Sequence, residues 1–146
     1  GSTSLNPRVS TAGIVRKDNT VLLALRKPGT SIGESWEFPG GKAEAGEDPQ
    51  SALKREFFEE LGVPIQVNQL LYQGQFSNRG RRYRLLAFDV ELKSSDFRLI
   101  EHQRLHWFSL HDARALPMAG SDRQILEALL AAPAELARSQ GIKGAK

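Results

Sequence analysis

Apolar and polar positions change their spacing several times along the chain, and each change predicts an element. Residues 9–16 and 20–26 are rich in β-branched and aliphatic side chains and flank Lys17-Asp18-Asn19, a turn sequence, so they predict a hairpin. Residues 27–35, with Pro28, Gly29 and Gly33, predict an irregular loop. A short apolar strand end at 36–38 is closed by Pro39-Gly40-Gly41. The spacing then becomes helical, with Leu53, Phe57 and Leu61 every four residues. Asp48 can cap this helix, Pro49 suits its first turn and Gly62 suits the position just past its end, which predicts a helix over 49–61. Residues 65–75 and 83–92 predict two longer strands joined by a polar turn around Asn78, Arg79 and Gly80, and 104–108 predicts another. Ser109 can cap a short helix through Ala115, and Ser121 or Asp122 can cap an amphipathic helix through about Leu130, with Pro133 marking a break. Strands and helices in this order predict an α/β (α+β) fold, a mixed sheet with helices on its faces.

With 146 residues the chain is expected to form one domain over 1–146, with flexible termini at 1–7 and 136–146. The absence of cysteine excludes disulfides, thiolate metal sites and a cysteine nucleophile, so any metal must be held by oxygen or imidazole. The longest apolar runs, 85–88 and 125–132, fall far below the roughly 20 residues of a membrane span. No membrane partner is expected. The Gly-Ser start reads as a cloning scar with no signal segment after it, so the expected compartment is the cytoplasm. A net charge of +3 favours an anionic partner without naming one. Arg79, Arg81, Arg82 and Arg84 lie close together, either as a solvated strand and turn or facing a phosphate, with Arg82 the substrate-binding candidate. Nucleic acid is disfavoured as a partner because no aromatic-rich RNA-binding signature accompanies the charge. His102, His106 and His111 lack metal-ligand spacing with one another and are assigned to surface or core packing.

Chemistry concentrates on the helix over 49–61. Residues three and four apart lie on one side of a helix, so Glu56, Glu59 and Glu60 form a single acidic patch about one turn long. Like charges at this spacing cost a few tenths of a kcal/mol each, and a divalent cation would relieve them. Carboxylate oxygens suit Mg²⁺ or Mn²⁺. The plainer reading is neutralisation by Lys54 and Arg55 on a solvated face. Against it, Arg55 stands four residues before Glu59 and can orient that carboxylate, while Leu53, Phe57 and Leu61 anchor the neighbouring face. The paired glycines of Phe38-Pro39-Gly40-Gly41-Lys42 allow close backbone approach, and a carbonyl there could reach the same metal.

Residues 41–63, GKAEAGEDPQSALKREFFEELGV, resemble the Nudix box: Gly, five residues, Glu, seven residues, then Arg-Glu-apolar-x-Glu-Glu-x-Gly-apolar. Gly41, Glu47, Arg55, Glu56, Phe57, Glu59, Glu60, Gly62 and Val63 fill every fixed position. The resemblance implies the Nudix fold and hydrolysis of a nucleoside diphosphate linked to another group. It further implies that Glu56, Glu59 and Glu60 bind Mg²⁺, with Mn²⁺ a substitute, that the Gly41 carbonyl assists, and that Glu47 and Arg55 support the loop and helix. Metal ions would clamp phosphate oxygens and activate a water, with Glu56 or Glu101 as the base.

From about residue 10 to 130 the chain is most similar to the MutT branch, whose members release pyrophosphate from nucleoside triphosphates, including oxidised ones. WEFPGGK at 36–42 is typical of that branch. The resemblance implies that Arg26 contacts the nucleotide, that Glu101 is a further acid near the metals, that Asp122 reads the base edge and that Phe76 lines the base pocket. Solvent-facing or capping roles are the plainer readings of Arg26, Glu101 and Asp122. An aspartate at the base-reading position departs from the asparagine of the best-known MutT proteins, leaving cytosine, guanine and 2-oxo-adenine edges open. The proline about sixteen residues after the box that ADP-ribose hydrolases carry, and the tyrosine about eighteen after it of dinucleoside polyphosphate hydrolases, are absent. The expected reaction is hydrolysis of a nucleoside triphosphate, 8-oxo-dGTP-like or CTP-like, to monophosphate and pyrophosphate. The alternatives are another nucleoside diphosphate derivative (a nucleotide sugar, ADP-ribose or an RNA 5′ end) and a non-catalytic nucleotide- or RNA-binding module. A monomer or homodimer is expected.

Overall fold

The computed structural model describes residues 8–27, 34–100 and 102–131. The expectations for the two termini, for most of the 27–35 loop and for Glu101 lie outside these residues. β1 (Arg8–Ile14) is the hinge of the topology. It runs parallel to β7 (Arg81–Leu92) and antiparallel to β5 (Gly40–Lys42), and β7 pairs in turn with β6 (Ile65–Asn78), giving a mixed sheet in the order β5-β1-β7-β6. In the second sheet β3 (Thr20–Arg26) pairs with β2 (Arg16–Lys17) and β4 (Trp36–Glu37), and with β8 (His102–Ser109), all antiparallel.

The hairpin expected of 9–16 and 20–26 therefore forms only at its turn. Arg16 and Lys17 pair with Val21 and Thr20 around Asp18 and Asn19, both at positive φ, whereas β1 departs at Val15 into the other sheet. The physical reason is burial on two faces. Along β7, Leu85 and Ala87 pack towards one core and Leu86, Phe88 and Val90 towards the other, and β1 must lie beside this strand to be covered equally. β6 and β7 meet at a two-residue turn where Arg79 and Gly80 both have positive φ, as a tight hairpin requires.

The helix α1 (Pro49–Leu61) has the expected bounds. Asp48 accepts a hydrogen bond from the Ser51 amide, Pro49 opens the first turn, and Gly62 closes the helix in the left-handed conformation at φ 73°. Leu53, Phe57 and Leu61 are fully buried against Leu22, Leu86 and Val90. Ser109 caps the short α2 (Leu110–Ala113) as expected. α3 (Gly120–Ala131) covers the opposite core with Ile125, Leu126 and Leu129, so the mixed sheet lies between α1 and α3. α3 is not capped by Asp122, however, because that side chain is used elsewhere. Among the described residues no helix is long and apolar enough to cross a membrane.

Candidate active site

Burying one face of α1 turns the adjacent face, with Arg55, Glu56, Glu59 and Glu60, towards the β5 loop. Arg55 organises it. Its Nε and Nη2 donate to the two oxygens of Glu47 at 2.8 and 2.9 Å, and Nη2 also reaches the Lys42 carbonyl at 3.1 Å. Nη1 donates to Glu56 Oε2 and Glu59 Oε1, each at 3.2 Å. Glu47 Oε1 in turn accepts from the Glu44 amide at 2.9 Å. Hydrogen bonding by Arg55, then by the Glu44 amide, holds the Glu47 carboxyl down at about 2. The same bond to Glu47 raises the Arg55 guanidinium above its ordinary value. The carboxylates of Glu56 and Glu59 are thus aligned by one shared cation, each through a single oxygen.

Gly41 sits directly beneath Glu56. A Cβ on Gly41 would lie 2.4 Å from the Glu56 carboxyl carbon, so only glycine admits this approach. The Gly41 carbonyl accepts from Thr11 Oγ1 at 2.8 Å, which fixes its direction. Glu60 leaves its two neighbours and faces across a cleft of about 540 Å³ that Arg26, Gly41, Phe76, His102 and Asp122 also line. The residues 96–100 are tied to the end of α1, with the Arg98 amide on the Leu61 carbonyl at 2.7 Å and the Ile100 amide on the Glu60 carbonyl at 3.2 Å. This tie delivers the start of β8 to Glu60.

His102, expected at the surface or in the core, is buried at 4% exposure and also lines the cleft, with Nε2 2.6 Å from Glu37 Oε2. A register shift between Leu25 and Arg26 sets His102 opposite Arg26, and Arg26 Nη1 lies 3.8 Å from Glu37 Oε1. Donor atoms of Glu37, Glu60 and His102 all fall within 4.8 Å of one another. Sequence spacing hides this group, since 65 residues separate Glu37 from His102; the one local hint was the place of Glu37 inside WEFPGGK.

Asp122 Oδ1 accepts the Phe38 amide at 3.0 Å across 84 residues. This replaces the capping reading. Burial of the carboxyl, with the charge of Glu37 second, pushes Asp122 up to about 8, against the Phe38 amide and Arg26, which both pull it down. The carboxyl is therefore mostly neutral at pH 7, with one oxygen accepting and the other able to donate. Phe76 stacks on Tyr83 with centroids 5.0 Å apart at the same cleft. The candidates thus divide by place. Arg26, Gly41, Glu60, Phe76 and Asp122 share the cleft, Glu56 lies against Gly41, and Glu59 is half exposed on the outer side. Arg82 is exposed on the hairpin, donates to Gln75 Oε1 at 3.0 Å and does not line the cleft. A second cavity of about 460 Å³, between Arg16, Asp89 and Trp107, contains no box residue.

The arrangement can hold a cation at one end of the cleft and a planar group between Phe76 and Asp122. Residues 6–129 match the NUDIX domain. The CTP pyrophosphohydrolase of Escherichia coli is 37% identical over 120 residues, covering 82% of this chain and 89% of that protein. The 8-oxo-dGTP diphosphatase of Haemophilus influenzae is 46% identical over 63 residues, 42% of this chain and 46% of its own. The solution structure of the E. coli ORF135 protein superposes with a TM-score of 0.81 at 35% identity, covering 91% of this chain and 95% of that one. A domain match across most of the chain, with Glu47, Glu56 and Glu59 gathered around Arg55, makes this protein a member of the Nudix hydrolase family, a pyrophosphohydrolase.

Proposed function

We propose that the protein hydrolyses nucleoside triphosphates to the monophosphate and pyrophosphate with Mg²⁺ as cofactor, and that cytidine nucleotides and base-oxidised purine nucleotides are the substrates to test first. The observation that carries this reading is that Glu60 and Asp122 open onto one cleft from opposite ends of the chain, so a single nucleotide can span them. Glu56, Glu59 and Glu60 would hold the metal with the Gly41 carbonyl, a donor set of hard oxygens that fits Mg²⁺. When bound, the metal supplies charge neutralisation on the phosphate chain and lowers the pKa of water.

The chain's own groups do the rest. Arg55 keeps Glu56 and Glu59 from repelling one another and engages one oxygen of each, leaving Glu56 Oε1 and Glu59 Oε2 to a cation. Arg26, exposed beside Glu37 in the cleft lining, would meet a phosphate or sugar. Phe76 offers its ring to the base, and neutral Asp122 offers both an acceptor and a donor to the base edge. Glu56 or Glu101 takes the proton from the attacking water. The E. coli relative named for CTP supports a pyrimidine, and the H. influenzae relative named for 8-oxo-dGTP supports an oxidised purine.

The test is a panel of CTP, dCTP, dATP, dGTP, 8-oxo-dGTP, 2-oxo-dATP, ADP-ribose and UDP-glucose with purified protein and Mg²⁺, products resolved by ion-exchange chromatography. Monophosphate plus pyrophosphate from a triphosphate is expected. Turnover confined to ADP-ribose or UDP-glucose, or orthophosphate as the product, would overturn the reading.

A further inference from the structure

We propose that Glu37, Glu60 and His102 form a second divalent-cation site with mixed nitrogen and oxygen donors, suited to Mn²⁺ or another transition metal and distinct from the all-oxygen set of Glu56 and Glu59. It extends the cation reading above, with which it shares Glu60, but it does not depend on which nucleotide is cleaved.

Three observations meet here. The donor atoms of the three residues lie within 4.8 Å of one another around the wall of the cleft. Among the described residues His102 is one of four buried polar or charged ones, and its Nδ1 has no hydrogen-bond partner while Nε2 faces Glu37 at 2.6 Å. A buried imidazole nitrogen without a partner is uncommon and calls for an explanation. The third observation is distance. Two ligands at about 2.1 Å on an octahedral cation stand roughly 3.0 Å apart, so Glu37 Oε2 and His102 Nε2 need to separate by only a few tenths of an ångström to admit one.

Charge and chemistry agree with the geometry. Two carboxylates and an imidazole match a dication, and Arg26 approaches the other oxygen of Glu37, leaving Oε2 to the site. An imidazole nitrogen adds affinity for Mn²⁺, Co²⁺ or Zn²⁺ over Mg²⁺, which takes oxygen and water. Glu60 supplies the link between the two sites because α1 turns it away from Arg55, and the backbone bonds of Arg98 and Ile100 to the end of α1 hold β8 against it. A cation here stands beside Arg26, in the cleft through which the phosphate chain of a bound nucleotide would pass.

The experiment uses the nucleotide-free protein loaded with Mn²⁺ and read by electron spin echo envelope modulation, which detects a directly coordinated ¹⁴N. Wild type should show imidazole modulation at saturation. His102→Gln should abolish it and remove one bound Mn²⁺ from the binding isotherm, while Glu59→Gln should keep the modulation. Glu37→Gln, which leaves the imidazole in place, should weaken Mn²⁺ binding at the nitrogen-bearing site by about tenfold or more, and so covers the case in which His102→Gln fails to fold. Wild type without ¹⁴N modulation at saturating Mn²⁺ overturns the proposal, and so does modulation that survives His102→Gln. Either result leaves the pyrophosphohydrolase reading standing, because that reading is decided by the products of the nucleotide panel.

Discussion

Arg55 clasps Glu47 through two parallel hydrogen bonds, Nε to Oε2 at 2.8 Å and Nη2 to Oε1 at 2.9 Å, and so ties the loop before α1 to the helix face that carries the acids. The remaining nitrogen spans Glu56 and Glu59. A guanidinium can do this and an ammonium cannot, because only the planar fork serves two carboxylate oxygens at once.

Arg55→Lys should therefore lower metal affinity and activity on the order of 10- to 100-fold, the usual cost of losing an outer partner of metal ligands. In the same variant the Glu47 carboxyl should rise from about 2 towards its ordinary 4.5. A depressed acid contributes stability above its unfolded pKa and loses it as pH falls towards the folded value, so this contribution vanishes between about 4.5 and 2. Carboxyl ¹³C NMR titration, paired with Mn²⁺ binding, checks both; unchanged binding in the variant would show that the clasp does not order the acids.

Gly41→Ala should remove most activity, on the order of 10²-fold, because the new methyl would meet the Glu56 carboxyl carbon at 2.4 Å and push it off its position. The atoms it meets are the far end of a flexible side chain that can swing aside, so the cost in stability should be small. Steady-state kinetics together with urea denaturation separates the two effects; full activity would mean that the placement of Glu56 over Gly41 is dispensable.

Asp122→Asn should stabilise the metal-free protein, and more so as pH rises. An acid raised to about 8 from 3.8 is protonated in the folded state while the unfolded chain has already released its proton, so wild-type stability declines between about pH 4 and 8 and levels off above. The gap in melting temperature between variant and wild type should widen from pH 5 to pH 8 in EDTA. Base preference should shift as well, since Asn fixes one acceptor and one donor where a titrating carboxyl offers either. A melting-temperature gap independent of pH would show that the carboxyl is ionised throughout.

Phe57→Ala should cost about 3–5 kcal/mol, the range for deleting a fully buried aromatic ring. Because the ring anchors α1 against Leu86 and Val90, the variant should lose metal affinity in parallel with stability. Calorimetry and Mn²⁺ titration test this pairing, and a loss below 1 kcal/mol would argue against α1 being held by this contact.

What the chain settles locally was legible before any fold was known. The bounds of α1 follow from Asp48, Pro49 and Gly62, because caps act on amides and carbonyls within one turn, and the same helix periodicity separates Phe57 from Glu56. The fixed spacing of the box likewise places Glu47 within reach of Arg55, eight residues away. Tertiary packing decided the rest. Local pattern made 9–16 and 20–26 one hairpin, but the need to cover both faces of β7 sent β1 into the mixed sheet. Asp122 carries every mark of a helix cap, yet its carboxyl bonds to Phe38, and His102 joins Glu37 and Glu60 only through the register of β8 on β3 and the backbone tie of 96–100 to α1. Contacts spanning 65 and 84 residues are set by sheet register and by the burial that fixes it, and no signal confined to a few neighbouring residues can specify them.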